Sequence, residues 1–414
     1  MDSFNPHFFS QFFCIPQVIE KLPTPFYIYH QDKIINNLKF LTDIFSQKVP
    51  QKVVIRYAIK ANSNRYLLQL IRSQGAGADV VSGGELERSL QAGFLPQEII
   101  FSGIGKTEEE LNFAIQQKIG HINVESLQEL QRIVSLGKPT NICLRVCPEV
   151  NVPTHNKIAT GRAGDKFGIS LSQISEAFDI LTKASFVTFK GFAIHIGSQI
   201  SDIKAYGQSF KVLAQLLKEV PQNFPVECLD LGGGFSVPYF SHEEPFNWNQ
   251  YISALNNELS HFKGHFIIEP GRFLVAEAGI ILTKILYMKE TPSKVFVIVD
   301  AGMNDMMRTA MYNAYHSIVS CKVPTTNNTR IVDIVGPVCE SSDFFAKNIA
   351  MPADLKAGDY LAMTHCGAYC SSFASSLNSR PLLPEVLIHE NQPYLIRHSI
   401  PIQTLTSFEI YRPL

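Results

Sequence analysis

The sequence predicts an α/β protein with a (β/α)8 barrel followed by a C-terminal antiparallel β domain. Three observations predict this fold. Eight short runs rich in β-branched residues occupy the first two-thirds of the 414-residue chain, and amphipathic segments separate them. After about residue 275 the pattern changes to closely spaced strand-like runs with turns between them. Strands that alternate with helices indicate parallel βαβ units, and eight such units indicate a closed barrel.

The predicted barrel strands are short apolar runs bounded by polar or glycine-containing segments. They are Val53–Lys60, Gly77–Val81, Ile99–Gly103, His121–Glu125, Asn141–Val146, Phe189–Ile196, Glu227–Gly233 and His265–Arg272. Apolar residues at helical spacing predict helices between them. The clearest are Glu108–Gln117, Ser126–Leu136, Leu171–Lys183 and Ala205–Glu219. The polar stretch at 148–169 predicts an active-site loop.

The last third of the chain predicts a β domain. Its candidate strands are Ile280–Tyr287, Lys294–Val299, Thr329–Val335, Asp359–Met363, Glu385–Ile388 and Pro393–Arg397. The segment Phe26–Tyr29 alternates like a strand and is expected to pair with this domain. We therefore predict an N-terminal segment at 1–30, a barrel at 31–275 and a β domain at 276–414.

Composition narrows the class of function. The chain is 45% hydrophobic and 18% charged, which is typical of a soluble globular enzyme. A formal net charge of -1 argues against a nucleic-acid partner and favours a small-molecule substrate. No apolar run approaches the ~18 residues of a membrane span, and the first 20 residues lack the basic start of a signal peptide. A cytoplasmic location is expected.

The eight cysteines are scattered and predict reduced thiols rather than a disulfide framework. Cys143 with Cys147, and Cys366 with Cys370, have neither the spacing nor the companion histidines of a zinc site. We predict no metal site.

Reactive residue types fall at the ends of the predicted barrel strands. In such barrels the chemistry sits at the carboxyl ends of the strands, while apolar side chains fill the interior. The residues concerned are Lys60, Asp79, His195, the triplet Gly232–Gly234 and the segment Glu269–Arg272. Packing alone does not account for so many reactive types at strand ends.

Three of these residues suggest a carbonyl cofactor. A lysine that leaves an apolar strand, such as Lys60, can carry the neutral amine that Schiff-base chemistry needs, although a rim lysine would look the same. Glu269 follows two isoleucines and needs a partner, either a protonated ring nitrogen or an arginine such as Arg272. His195 taken alone is better explained as a core histidine.

Two neighbouring strand ends suggest a phosphate site. Gly232–Gly234 lets backbone N–H groups approach an anion, although an ordinary tight turn is also compatible with a glycine triplet. Gly271 and Arg272 add a further glycine and a permanent cation at the last strand. Phosphate ligands from the last two strands are a recurrent barrel arrangement.

The motifs occur together and in an order that resembles one family. They are Tyr57–Asn62, His195–Gln199, Gly232–Gly234, Glu269–Arg272, Cys339–Ser341 and Gly367–Tyr369. The sequence resembles the alanine-racemase-like, fold-type III decarboxylases that use pyridoxal 5'-phosphate (PLP), and within them the meso-diaminopimelate decarboxylases. The resemblance runs from about residue 24 to the C-terminus.

The resemblance implies a role for each matching residue. Lys60 would hold PLP as a Schiff base with Asp79 near it, His195 would stack on the ring, and Glu269 would pair with the ring nitrogen. The implied phosphate ligands are Ser198, Gly233, Gly234, Gly271, Arg272 and Tyr369. Arg308 and Tyr312, with Glu340, Arg272 and Tyr369, would bind the substrate. Cys339, from the partner subunit of a homodimer, would protonate the product carbanion.

Several positions depart from the diaminopimelate decarboxylase pattern. They are Ala193, Thr309, Ser342, Cys370, Ser371 and Leu377. The expected reaction is decarboxylation of meso-diaminopimelate to L-lysine. The departures leave open a larger substrate such as N-citryl-ornithine in siderophore biosynthesis. An inactive regulatory homologue is a third hypothesis, but it predicts damage at Lys60 or Cys339, and both are intact.

Overall fold

The computed structural model describes residues 15–150 and 164–411, which form two compact units. The barrel unit comprises Ile35–Val237 and Glu244–Phe273. The β unit comprises the chain up to Ile34, the segment Pro238–Glu243 and the chain from Leu274 onward. The domain limits predicted from the sequence stay a prediction. Most of the predicted loop at 148–169 lies outside the described residues.

The barrel unit contains eight parallel strands that pair in chain order, and the last pairs with the first. Strand β1 (Phe26–His30) precedes them and belongs to the β unit. The barrel strands are β2 (Val53–Ala58), β3 (Gly77–Val80), β4 (Ile99–Phe101), β5 (His121–Val124), β6 (Thr140–Arg145), β7 (Val187–Ala193), β8 (Cys228–Asp230) and β9 (His265–Ile268). The predicted (β/α)8 barrel is confirmed.

The barrel strands end earlier than the apolar runs that predicted them. Lys60 lies in the short 3-10 turn Ile59–Ala61 after β2, His195 lies two residues beyond β7, and Glu269 directly follows β9. The chain leaves the sheet while its side chains are still buried, so an apolar run does not mark where strand pairing stops. Asp79 lies within β3, whereas the other predicted reactive residues lie on the loops that follow the strands.

Helices alternate with the barrel strands, and polar caps start several of them. Thr107 and Glu110 form a capping box, while Ser126 and Asp202 cap two later helices. The helices are Ile15–Ile19, Gln31–Lys48, Arg65–Ser73, Gly83–Gln91, Glu108–Gln116, Leu127–Ser135, Ile174–Thr182, Ile203–Glu219, Trp248–Leu259, Arg272–Val275, Arg308–Tyr312 and Ile402–Thr406. None in the described ranges is both long and apolar enough to cross a bilayer.

The β unit contains a mostly antiparallel sheet. Its later strands are β10 (Gly279–Glu290), β11 (Val295–Val299), β12 (Ile318–Ser320), β13 (Thr329–Val335), β14 (Phe344–Pro352), β15 (Tyr360–Met363), β16 (Glu385–His389) and β17 (Gln392–Arg397). Strand β1 lies between β10 and β16, antiparallel to the first and parallel to the second. The β11–β13 pair is also parallel. Strands β12 and β14 were not predicted.

Candidate active site

Four predicted residues form one electrostatic cluster at the carboxyl end of the barrel, named here the Lys60 cluster: Lys60, Asp79, His195 and Glu269. Nδ1 of His195 lies 3.5 Å from Oε2 of Glu269 and accepts a hydrogen bond from the Gly233 N–H at 3.2 Å. Burial, and then the charge of Glu269, raises the pKa of Asp79, while Lys60 opposes this shift. Burial is also the main reason why the pKa of His195 is lowered.

Glu269 is the ionised member of a buried pair of carboxyl groups. Burial alone would raise its pKa, but His195, Lys60 and a hydrogen bond with Asp230 lower it to about 2. Asp230 is fully buried, and burial followed by the charge of Glu269 raises its pKa well above the usual range. Two carboxyl groups this close share one negative charge, and we assign the proton to Asp230.

Asp230 was not among the predicted site residues, although it ends strand β8. Its Oδ1 accepts a hydrogen bond from the Gly232 N–H at 3.0 Å, and its Oδ2 accepts one from Nδ2 of Asn123 at 3.2 Å. It therefore connects Glu269 to the glycine turn and to β5. A carboxyl residue two positions before the triplet was the sequence signal for it.

The glycine triplet follows β8 in a conformation that only glycine accepts easily. Gly232 and Gly234 have φ of +68° and +89°. A Cβ at Gly233 would lie 2.1 Å from the carbonyl oxygen of Glu269, and one at Gly234 would lie 2.3 Å from that of Gly197. This close packing holds the turn against the loops that follow β7 and β9.

A second anion-binding element follows β9. Nη2 of Arg272 donates a hydrogen bond to Oγ of Ser198 at 3.1 Å, and the Arg272 residue is buried. Gly271 packs against the Lys60 turn, where a Cβ would lie 3.1 Å from that of Ala58 and 3.2 Å from that of Ala61. Lys60 and the predicted phosphate ligands Gly271 and Arg272 therefore lie on barrel loops that pack closely against each other.

A buried ion pair organises loops at the same end of the barrel and was missed in the sequence. Nη1 of Arg145 lies 2.5 Å from Oε1 of Glu125. Glu125 also accepts hydrogen bonds from the N–H groups of Gly103, at 2.9 Å, and Gly168, at 3.0 Å. The sequence signal for this ion pair was a charged residue among the apolar residues of a strand.

A buried lysine completes this network. The ammonium group of Lys106 lies 2.7 Å from Oε1 of Glu129 and from the Gly103 carbonyl oxygen, and 2.8 Å from that of Asn123. The side chains of Lys106 and Glu129 are 1% and 9% exposed, so this is an internal ion pair.

The predicted substrate residue Arg308 lies in the β unit. Its guanidinium group lies over the ring of Tyr239, with 4.7 Å between Cζ and the centroid. Its Nη1 lies 2.7 Å from Nε2 of His316. No carboxylate lies within 4.0 Å of this buried cation among the residues that the structure describes. A buried guanidinium group with uncharged neighbours favours an anionic ligand.

The remaining predicted residues also belong to the β unit. Tyr312 ends the short helix that begins at Arg308, and Tyr369 has a left-handed backbone with φ of +57°. Cys339 and Glu340 are exposed on a turn. Hydrogen bonds hold this turn, because the Asp343 carboxylate accepts from the N–H groups of Val338 and Met303, both at 2.7 Å.

These residues fit PLP. The Lys60 amine can bond to an aldehyde, and ionised Glu269 can neutralise a protonated ring nitrogen. The tight glycine turn and the Ser198–Arg272 pair can bind the phosphate group.

Comparison with known proteins identifies the family. Residues 33–276 match the family described as "Pyridoxal-dependent decarboxylase, pyridoxal binding domain". The chain therefore belongs to the pyridoxal-dependent decarboxylases, whose cofactor is PLP.

Individual relatives extend the match over nearly the whole chain. A diaminopimelate decarboxylase of Zymomonas mobilis is 37% identical over 397 residues, which are 94% of this chain and 94% of that relative. One of Methanocaldococcus jannaschii is 35% identical over 96% of this chain and 93% of its own length. The crystal structure of the Helicobacter pylori enzyme with L-lysine superposes with a TM-score of 0.89 at 37% identity, covering 95% of this chain and 98% of that chain.

Proposed function

We propose that this protein decarboxylates meso-diaminopimelate to L-lysine. The relatives named above, which match almost end to end, support this reaction. Within the chain, the observation that carries it is buried Arg308. A substrate with a second carboxylate, remote from the reacting carbon, would supply the anion that this cation lacks.

The Lys60 cluster and the nearby anion-binding loops would hold the cofactor. We propose that Lys60 binds it covalently with Asp79 beside the amine, and that His195 lies against the ring. Its phosphate group would be bound by Ser198, Gly233, Gly234, Gly271, Arg272 and Tyr369. The short separations within the barrel unit, such as Arg272 to Ser198, support this assignment.

When bound, PLP supplies a conjugated ring that accepts the electron pair of the breaking Cα–carboxylate bond. The chain's own contribution is electrostatic and geometric. Glu269 stays ionised, so it would favour a proton on the ring nitrogen, while Asp230 is protonated and adds no second negative charge. His195 restricts the position of the ring through its contacts with Glu269 and Gly233.

The remaining proposed residues would orient the substrate. Arg308 and Tyr312 would bind the distal carboxylate, and Glu340 an amino group. Tyr369 and Arg272 would complete the set. A fixed distal end restricts rotation at the reacting carbon, which favours the alignment that decarboxylation requires.

We further propose that the protein is a homodimer in which each subunit supplies Cys339 to its partner's site. Cys339 is exposed on its turn, whereas a group that protonates a carbanion needs a position shielded from bulk water. A covering partner would provide that position. The thiol must stay reduced, which supports a cytoplasmic location.

The reaction can be tested by carbon dioxide release from the PLP-loaded protein with meso-diaminopimelate, L-ornithine and N-citryl-ornithine in parallel. We expect release from meso-diaminopimelate, with L-lysine as product. Release only from the citrylated substrate would replace the proposal by a siderophore-pathway function. No release and no absorbance from lysine-bound cofactor would instead support an inactive regulatory homologue.

The role of Arg308 can be tested separately with Arg308→Gln. Loss of a charge-assisted hydrogen bond of about 1.5–3 kcal/mol lowers kcat/KM for meso-diaminopimelate about 10- to 150-fold. Arg330→Gln is the control, because Arg330 forms a partly exposed ion pair with Glu290 on the same unit. Equal activity of the two variants would contradict this role.

Mixed dimers test the role of Cys339 in the partner's site. Lys60→Ala and Cys339→Ala should each be inactive alone, and mixing them in equal amounts should restore about a quarter of the wild-type activity, because half the dimers then contain one intact site. No recovery in verified mixed dimers would place Cys339 in its own subunit's site or outside the reaction.

A further inference from the structure

A second cluster of reactive side chains lies inside the barrel, before the carboxyl ends of the strands. It consists of His121, the first residue of β5, Cys143 in the middle of β6 and Cys228, the first residue of β8. The imidazole nitrogen and the two sulfur atoms all lie within 4.8 Å of one another, and all three residues are buried. We name it the His-Cys-Cys cluster.

Strand register brings the two cysteines together. Gly191 of β7 pairs with Cys143 on one side and with Cys228 on the other. A Cβ at Gly191 would lie only 1.8 Å from the carbonyl oxygen of Cys228, so no side chain separates the two thiols. Their Sγ atoms are 3.6 Å apart. Sequence spacing had paired Cys143 with Cys147 instead.

The separation suits a shared metal ion. Two sulfur atoms at ~2.3 Å from one metal lie about 3.8–4.0 Å apart for tetrahedral or trigonal angles. A shift of a few tenths of an ångström therefore brings both sulfur atoms of the cluster into a coordination sphere. The apolar neighbours Ile100, Ala193 and Ile267 surround the thiols and shield them from water.

The histidine is ready to act as a ligand. His121 is buried at the start of β5. Its Nε2 is buried, and no hydrogen-bond partner for it lies among the described residues. In contrast, both ring nitrogens of His316, near Cys366, already have close partners in Arg308 and Thr364.

We propose that the His-Cys-Cys cluster binds a thiophilic d10 cation, and that Cu⁺ fits it better than Zn²⁺. Soft thiolate ligands select such ions. Within the part of the chain that the structure describes, no fourth His, Cys, Asp or Glu joins the group, whereas structural Zn²⁺ is almost always four-coordinate. Cu⁺ with two thiolates carries one negative charge, which the nearby Arg56 guanidinium would balance.

Copper retention tests the proposal on the PLP-loaded protein under anaerobic conditions. Cu⁺ is equilibrated with the protein in the presence of the chelator bathocuproine disulfonate. We expect one Cu⁺ retained per chain in the wild type and none at this site in Cys143→Ala or Cys228→Ala. Cys321→Ala is the matched control, since it removes a partly buried thiol outside the cluster, and it should retain the ion.

Two measurements on the wild type keep the test independent of how well the variants fold. X-ray absorption should show two sulfur ligands and one nitrogen ligand, and Cu⁺ should raise the urea midpoint reported by Trp248, the only tryptophan, which lies in the barrel unit. No retained copper, or equal loss in the Cys321 variant, would overturn the site. Tighter binding of Zn²⁺ with a fourth light ligand would overturn the choice of a monovalent ion.

Discussion

Replacing Asp230 by asparagine or alanine tests which carboxyl group of the buried pair holds the proton. Asparagine has the size of a protonated aspartic acid and, like it, offers one acceptor and one donor. The amide of Asn123 can turn to accept from it, because its Oδ1 has no hydrogen-bond partner among the residues that the structure describes. At about pH 4, before the pH-dependent difference described below develops, we expect Asp230→Asn to change the free energy of unfolding by less than about 1 kcal/mol.

Alanine should be much less well tolerated. It leaves the Gly232 N–H and one of the two Nδ2 hydrogens of Asn123 without an acceptor, while Nδ2 keeps its hydrogen bond to Oγ of Ser102. Each buried unsatisfied donor costs about 1–3 kcal/mol, so Asp230→Ala should lower the free energy of unfolding by about 2–6 kcal/mol. Urea titration followed by Trp248 fluorescence measures both variants, because the single tryptophan lies in the barrel unit.

The pH dependence of the free energy of unfolding shows which carboxyl group holds the proton. The pKa of Asp230 is higher in the folded than in the unfolded chain, so folding takes up a proton above pH 3.8 and wild-type stability falls as the pH rises toward the folded pKa. Asparagine removes this loss. Between pH 5 and 7 the variant should gain on the wild type by up to about 1.4 kcal/mol per pH unit. Because the pKa of Glu269 is lowered, this residue changes the pH dependence of stability only below about pH 4.5.

A result in the opposite sense would refute the assignment. If Asp230→Asn cost as much as Asp230→Ala and the difference from the wild type did not change with pH, Asp230 would be ionised in the folded protein.

Two further substitutions test other parts of the barrel end. Lys106→Met leaves a buried carboxylate without its cation and should lower the free energy of unfolding by about 3–5 kcal/mol in urea titration. Lys190→Met, at a more exposed ion pair, should lower it by less than about 1 kcal/mol. Equal losses would mean that burial of the Lys106 pair has no energetic effect. Gly233→Ala puts a Cβ 2.1 Å from the Glu269 carbonyl oxygen and should abolish the visible absorbance of bound cofactor after dialysis. Gly105→Ala should retain the absorbance, because no atom of the described residues beyond its chain neighbours lies within 4 Å of the added Cβ. Loss of absorbance in both variants would contradict a local effect.

The sequence alone predicted the barrel and the residues that follow its strands. The strand ends could be located because the hydrophobic pattern and the side-chain type indicate the same position at Lys60 and Glu269, where a reactive group ends an apolar run. The limits of the strands were less predictable, since burial continues beyond the last pairing residue, as at Lys60 in its 3-10 turn.

Contacts across the barrel interior were not predictable. The hydrogen bond between Asn123 and Asp230 joins residues 107 positions apart, and it depends on strand stagger that no local pattern encodes. The approach of Cys143 to Cys228 also depends on a register shift between Ile142 and Cys143. Pairings of this kind arise from closure of the sheet rather than from the composition of any one strand.

The position of β1 has a consequence for how the chain is made. Tyr27 of β1 pairs with Glu385 of β16. Strand β1 therefore has no parallel neighbour until β16 has been synthesised. The strands β2–β9 are synthesised during that interval and can close first, while Phe26 and Ile28 keep apolar side chains without their final neighbours. Such long-range pairing slows folding and exposes the early strand to wrong partners. A ribosome-stalled chain lacking β16 is therefore expected to contain a protease-resistant barrel and a protease-sensitive N-terminal segment.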